Sequence, residues 1–335
     1  MSENTVAVAP LAAVPDRSFH GIVLVAFGIS IFSIQDVLIR SLSGGYSVVE
    51  IMFIRALVAL LPMLVFVHLD GGLSTLFIRR PWLMLLRGLF AVFSYSTYYM
   101  AIASLPLSTV TSIFFISPLV VTLLSVVFLR ETVGIRRWVG VSIGFAGMLM
   151  IVRPWTAVLG DAAINWALLL PLSAAMTYAC SIMMTRKLGQ RYSGAVLAFY
   201  AMVSFLIASS LAGFAFGDGH LADESHPSLG FLLRAWRWPA PLDLAMIAAC
   251  GGVAAVGFYC LSQGYRLAQA SVAAPFEYIA LPLSIVWGYA IWNEVPSATT
   301  LFGIALIVGG SLYVLRREAR RRRKLVVGPR VRLRL

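Results

Sequence analysis

Five ionisable side chains stand inside stretches otherwise made of apolar residues: Asp36, Glu50, Arg55, Arg87 and Glu277. Each costs at least about 2.5–3.5 kcal/mol at mid-membrane unless paired or wet, so such residues mark pathways and coupling sites by default. At about 1.5 Å of rise per residue, Arg87 and Glu277 lie one to two turns from one surface. Asp36, Glu50 and Arg55 lie nearer the other. Depth therefore predicts an Arg87–Glu277 pair and an Asp36–Arg55 cluster, with Glu50 closer to water. Glu277 or Asp36 could carry a coupling proton. A buried ion pair could equally serve only to fix helix packing.

Aromatic side chains add a second kind of chemistry. Arg87, Ser94 and Tyr98 share one face at helical spacing, with Tyr95 and Tyr99 alongside. Phe114, Phe115, Tyr278 and Trp287 occupy later apolar runs. If these faces line a central cavity, the rings stack on a planar solute while the charges hold its polar groups. The candidate substrate-binding or coupling set is therefore Glu277, Asp36, Arg87, Arg55, Tyr98, Tyr278, Ser94 and Trp287. Glu131 and Glu294 sit at loop ends, where capping or pairing is the expected role.

Catalytic constellations are missing from the sequence. His20, His68, His220 and His226 fall at segment ends or in one loop, and Cys180, Cys250 and Cys260 lack ligand spacing. No catalytic residue, metal site or cofactor is expected, and no GxxxxGK[ST] motif signals nucleotide hydrolysis. A membrane-embedded enzyme and a channel are the rival classes. The first needs a positioned nucleophile and base or metal ligands, the second a continuous polar pore or several copies around an axis.

The elements that must position these residues follow from composition. Of 335 residues, 60% are hydrophobic and only 12% charged, where a soluble domain carries about 25% charge. Apolar blocks near 20 residues long cross a hydrocarbon core of roughly 30 Å. They predict ten transmembrane helices at 20–40, 47–68, 82–102, 106–129, 136–153, 163–184, 193–216, 244–265, 271–291 and 298–315. The long connection 217–243 carries Arg234, Trp236, Arg237 and Trp238, a composition suited to the membrane–water interface.

The formal charge of +12 is concentrated in the tail after residue 315. A basic cluster behind an apolar helix reads as a cytoplasmic anchor, and no nucleic-acid-reading module accompanies it. With the N-terminus inside, the inner loops hold most of the remaining Arg and Lys, so both termini are expected to be cytoplasmic. Residues 1–19 lack the order of a secretory signal.

The chain also resembles itself. A shift of 163 residues matches Ser108 with Ser271, Glu131 with Glu294, Gly140 with Gly303, Gly147 with Gly310 and Arg153 with Arg316. A shift of 146 matches Arg40 with Arg186, Ser47 with Ser193 and Phe53 with Phe199. Helices 1–5 are thus expected to repeat as 6–10. Because five is odd, the halves enter the membrane in opposite directions, as in many secondary transporters. The expected organisation is an N-terminal tail (1–19), a first repeat (20–154), a second repeat (155–316) and a basic C-terminal tail (317–335). Gly140, Gly144 and Gly147, echoed by Gly303 and Gly310, are expected to pack halves together or to join protomers of a homodimer.

These motifs carry a family resemblance. Ala101 to Ser108, Ser117-Pro118, Leu129-Arg130-Glu131 and the glycine face return as Ala268 to Ser271, Pro282, Glu294-Val295-Pro296, Gly303 and Gly310. In this the chain resembles the EamA-type transporters of the drug/metabolite transporter (DMT) superfamily, from about residue 20 to 316. The run Pro275-Phe276-Glu277-Tyr278, with Gly288 and Glu294, is similar to the subgroup of riboflavin and S-adenosylmethionine uptake proteins. The resemblance implies a multi-pass protein of the bacterial inner membrane. It implies a secondary transporter moving a small organic metabolite, vitamin- or nucleoside-like, by alternating access. An exporter of metabolites or amino acids with the same fold is the alternative.

Overall fold

A computed structural model describes residues 18–117, 119–121, 123–124, 135–152, 166–221, 226–268 and 273–326. The expectations placed on Glu131, Arg153, Ser271 and both chain ends fall outside these residues.

The described chain is helical, with no strand among the described residues. This follows from the composition: in hydrocarbon a helix satisfies its own backbone groups without water. The α-helices are α1 (Ser18–Leu42), α2 (Val48–Leu69), α3 (Pro81–Ser104), α4 (Leu107–Phe114), α5 (Ile135–Val152) and α6 (Leu169–Leu188). They continue as α7 (Gly194–Phe216), α8 (Pro227–Leu233), α9 (Pro241–Leu267), α10 (Ala280–Trp292) and α11 (Ala298–Val326). Ser47 and Ser193, matched by the 146-residue shift, cap α2 and α7 by accepting the Val49 and Val196 amides. Proline opens α3, α8 and α9, where its missing amide costs nothing. Five helical segments are long and apolar enough to cross a membrane: Phe19–Leu42, Val48–Leu69, Trp166–Leu188, Gly194–Phe216 and Pro241–Leu267. Shorter apolar stretches occur at Leu107–Val121, Phe276–Trp292 and Ala298–Gly310.

Three departures from the expected spans bear on the site. The fourth span is not one unbroken helix: the regular α-turns stop at Phe114, and Ile116 bonds back to Ile113 in a tighter turn. The ninth does not begin as an α-helix. A 3-10 segment, Ala274–Ile279, precedes α10, so Glu277 sits on an irregular turn. The 217–243 connection is not a plain loop, because α8 folds back onto α3. There Ser228 donates to the Met100 carbonyl at 2.7 Å, and Phe231 is fully buried.

Helices pack in defined pairs. The most extensive are α1 with α9, α5 with α11, α3 with α6 and α2 with α7, followed by α2 with α9, α3 with α7 and α7 with α9; α4 with α10, α4 with α6 and α1 with α10 are smaller. Glycine permits the closest of these approaches. A Cβ on Gly264 would lie 2.6 Å from a Val25 methyl and 2.8 Å from the Gly21 carbonyl oxygen on α1. Gly147 and Gly303 meet likewise across α5 and α11, with a Cβ on Gly147 only 2.6 Å from the Gly303 carbonyl. Of the expected glycine contacts, this one joins two helices of the same chain.

Gly252 has nothing within 4 Å of its missing Cβ. Gly252→Ala should therefore stabilise, or leave unchanged, by up to about 0.5–1 kcal/mol through lost backbone entropy. Gly264→Ala should destabilise by about 1–3 kcal/mol through overpacking. Thermal unfolding of the two purified variants in detergent reads the opposite signs; equal shifts would show that the α1–α9 contact tolerates a methyl group.

Candidate functional site

Five elements, α1, α3, α4, α6 and, through Ala280, α10, build the centre of the molecule. On α1, Phe32, Ser33 and Asp36 project inward, one turn apart. On α3, Ser94, Tyr95 and Tyr98 do the same, and α4 supplies Thr111, Phe114 and the following Phe115. Tyr178 comes from α6. Together they line a cavity of about 60 Å³. That is room for a few waters, and less than half of the roughly 150 Å³ apolar cavity known to take benzene. A second cavity of about 20 Å³ lies farther toward the Arg87 end, bounded by Arg87, Ser181, Thr185 and Ser262. Tyr95 and Tyr178 line both and so form the partition between them.

Each buried charge has its own arrangement. Tyr98 donates to Asp36 at 3.0 Å and lies 3.2 Å from the Thr111 hydroxyl, tying α1, α3 and α4 together. Asp36 is half-buried and faces the larger cavity. Arg55 is fully buried. It donates to the Tyr99 hydroxyl at 3.3 Å and, with the Gln35 amide oriented to suit its neighbours, to Gln35 at 3.0 Å. Its guanidinium lies 4.8 Å from the Phe205 ring centroid. The Nε and Nη2 groups of Arg55 have no hydrogen-bond partner among the described residues.

Arg87 bonds across to the other half of the chain, donating to Thr185 Oγ1 and to the Leu197 carbonyl, each at 2.6 Å. Glu277, 1% exposed, accepts from Tyr178 at 2.8 Å and also from Tyr265. The 3-10 turn places its carboxylate between α6 and α9.

The two expected ion pairs are therefore corrected. Arg87 and Glu277 do not meet: Arg87 turns to α6 and the start of α7, while Tyr178 and Tyr265 take up the Glu277 carboxylate. Asp36 and Arg55 attract each other but make no contact pair, because Tyr98 occupies one and Gln35 and Tyr99 the other. In both cases a polar group from a neighbouring helix is nearer than the opposite charge. Glu50 is not solvated either; it is 3% exposed and accepts the Arg237 amide at 3.4 Å.

Of the expected site residues, the structure brings Asp36, Ser94 and Tyr98 to the larger cavity and Arg87 to the smaller one. Phe114 and Phe115 also reach the larger cavity wall. Arg55 lines neither. Tyr278 stacks behind Phe115, with centroids 5.2 Å apart, and Trp287 donates to Ser33 from behind at 3.3 Å; both support the wall. Tyr178 and Tyr265 were not expected, although a tyrosine inside a run of small residues such as Ser173–Cys180 is a polar group that must find a partner. Gln35, next to Asp36, offered the same signal.

A further arrangement lies one helical turn beyond residues of the larger cavity. Arg40 lies one turn beyond Asp36 on α1, and Leu107 one turn before Thr111 on α4. Arg40 forms a two-pronged ion pair with Glu294, at 2.9 Å for Nη1–Oε2, and its guanidinium stacks 4.3 Å over Trp292. Glu294 also accepts the Leu107 amide at 3.2 Å. The left-handed Asn293, φ 53°, turns the chain out of α10 to place it there. Glu294 thus both pairs and caps. Among the described residues no group of three or more His, Cys, Asp or Glu could hold a metal ion.

With the geometry in place, comparison with known proteins is informative. A "Riboflavin transporter" of Rhizobium johnstonii is 28% identical over 253 residues, 76% of each chain. An "S-adenosylmethionine uptake transporter" of Rickettsia felis is 25% identical over 85% of this chain and 89% of its own. A pseudopaline exporter of Pseudomonas aeruginosa is 25% identical over 86% of this chain and 93% of its own. A solved crystal structure superposes with a TM-score of 0.63 over 91% of this chain and 99% of its own, at 19% identity, and so shows the same fold. The sequence pattern of the EamA-like transporter family matches residues 19–153 and again 165–316. The chain belongs to the EamA-like transporter family of the DMT superfamily.

Proposed function

We propose that this protein is a secondary transporter that moves a small, ring-containing organic metabolite across the bacterial inner membrane by alternating access, with the larger cavity as its central site. The observation that carries this reading is the cavity itself: ring-lined, holding one carboxylate, and sharing Tyr95 and Tyr178 with a second cavity. Such a partition is what a carrier needs and a channel does without. Transport by the family, and relatives named for riboflavin and S-adenosylmethionine, support the substrate class. The pseudopaline exporter keeps the outward direction open as the second reading.

The ten-span, inverted-repeat organisation belongs to this proposal, and the helix pairings support it. Take α1 to α5 as the first half, α6, α7, α9, α10 and α11 as the second, and exchange them in order. The pair α1–α9 becomes α6–α3, α2–α9 becomes α7–α3 and α1–α10 becomes α6–α4; α2–α7 and α5–α11 map onto themselves. Every one of these contacts is present. The family pattern also matches the chain twice.

In this mechanism Arg40–Glu294 latches the Asp36 side. Opening that side separates α1 from the α4–α10 pair and so must break it. By the 146- and 163-residue shifts the same residue types recur at Arg186 and Glu131, the latter outside the described residues; in an inverted repeat they belong to the opposite face. In this reading Glu277, held by tyrosines from two helices, couples a proton to rearrangement at the partition.

Purified protein in liposomes should take up one member of a labelled panel, containing riboflavin, S-adenosylmethionine and amino acids, in a saturable manner. Glu277→Gln should lower that rate at least about tenfold, since each charge-assisted hydrogen bond lost is worth about 1.5–3 kcal/mol; unfolding temperature and the milder Tyr178→Phe separate this from misfolding. No saturable uptake by stable, oriented protein would count against the transporter reading. An inward proton gradient should accelerate uptake, and a rate indifferent to the gradient would remove the proton.

The latch is tested separately. With Cys180, Cys250 and Cys260 replaced by serine and a reporter at Ala280→Cys in the cavity wall, Glu294→Gln should speed labelling by an impermeant thiol reagent from the Arg40 side about fivefold, in line with a partly exposed pair. An unchanged rate would show that Arg40–Glu294 does not control access.

A further inference from the structure

We propose that the larger cavity selects a cationic solute bearing a flat ring, of the organic sulfonium or quaternary ammonium class, with Asp36 as its counter-ion. This rests on that cavity being the transport site, and it narrows the solute from any ring compound to a positively charged one.

The wall chemistry carries the inference. Six lining residues are aromatic: Phe32, Tyr95, Tyr98, Phe114, Phe115 and Tyr178. Their rings form continuous contacts, with Tyr98–Phe114 and Phe114–Tyr178 centroids each 5.2 Å apart. Ring faces carry negative electrostatic potential and attract cations, most strongly where water is excluded. Asp36 is the one charged group among the residues lining this cavity. Tyr98 holds one of its oxygens, and the side chain as a whole remains half-buried, open to the cavity.

The surrounding charges do not reverse this field. Arg55 attracts Asp36, yet its guanidinium is turned to Gln35, Tyr99 and the Phe205 ring and lines no part of the cavity. Arg87 faces the smaller cavity on the far side of the partition. Glu277 reaches the wall only through Tyr178 and brings no positive charge to it. A neutral ring filling the cavity would displace water from Asp36 and give its carboxylate no compensation. An anion would meet that carboxylate with no cation among the described residues of the wall. A cation relieves the desolvation cost and gains the ring faces.

A matched pair of probes isolates the charge. S-adenosylmethionine is a sulfonium; S-adenosylhomocysteine is the thioether lacking one methyl group and the positive charge. In calorimetric titration of the purified protein, the sulfonium should bind at least about tenfold more tightly than the thioether, with phenyltrimethylammonium competing and riboflavin failing to compete. Asp36→Asn should bring the preference close to one, and Asp36→Glu should keep it. Should Asp36→Asn not fold, Phe114→Leu should lower sulfonium affinity several-fold while sparing the thioether. Equal binding of the pair, tighter binding of riboflavin, a preference that survives Asp36→Asn in folded protein, or no saturable binding of either cation would overturn the proposal. Saturable riboflavin uptake into liposomes together with any of those results would leave the transporter reading standing and remove only the cation.

Discussion

A charge inside a low-dielectric bundle must be met by polar groups within hydrogen-bond reach, and the centre of this protein is arranged around that requirement. Asp36 is met by Tyr98, Arg55 by Gln35 and Tyr99, Arg87 by Thr185 and the Leu197 carbonyl, and Glu277 by Tyr178 and Tyr265. All of these partners are uncharged, and each lies on a different element from the ion it meets. An unmet ion would cost several kcal/mol, so these contacts determine which helix faces turn inward. The aromatic wall follows, because tyrosine is the residue that offers both a hydroxyl for the ion and a ring for the cavity. The glycine contacts of α1 with α9 and α5 with α11 serve the same end, since charges on different helices can share partners only where backbones approach closely.

Hydrophobic run length made most of the fold legible before any coordinates. The predicted spans at 20–40, 47–68 and 193–216 coincide within two residues with α1, α2 and α7. What run length could not show is where an apolar stretch leaves the α-helical path. The turn after Phe114 and the 3-10 segment at Ala274–Ile279 lie within long, mainly apolar runs, so run length alone does not mark them. The site was legible in its membership more than in its pairings. Asp36, Ser94, Tyr98 and Arg87 reach cavities, because a polar residue in an apolar run has few other places to go. Pairing by depth failed because depth ignores rotation about the helix axis: Arg87 and Glu277 stand at similar levels but on faces separated by Tyr178.

The proposed halves are alike in scaffold and unlike in chemistry, and that asymmetry falls on the site. Under the 146-residue shift Phe32 corresponds to Tyr178, two rings that both line the larger cavity. Under the 163-residue shift Tyr95 corresponds to Phe258 and Phe115 to Tyr278, and both pairs are in ring contact, at 5.2 Å. The charges have no such echo. Asp36 corresponds to Ile182, Arg55 to Ala201, Arg87 to Cys250, and Glu277 to Phe114. Matching positions thus hold the frame that both halves share, while the unmatched ones carry the functions a repeat alone cannot specify. A duplicated fold has reason to keep its packing residues in both copies, since the frame is built from both. A binding carboxylate, as proposed for Asp36, is needed only once.

The cavity's small volume has a consequence for how such a frame can work. A space that admits a few waters must widen before a ring compound enters, and close-packed interiors do not widen by uniform swelling. They move along seams where few contacts hold. Around the larger cavity, α1 is bound to α9 through interlocked glycines, whereas on the Asp36 side it meets α10 and the turn after it through Trp287–Ser33 and Arg40–Glu294, and α3 through Tyr98–Asp36. Hydrogen bonds and a partly exposed ion pair can be exchanged for contacts with water or solute at small net cost; interdigitated backbones cannot. The seam of least resistance therefore runs between α1 and the α4–α10 pair, and it passes through Asp36, so the group that would hold the solute sits on the joint that must open to admit it.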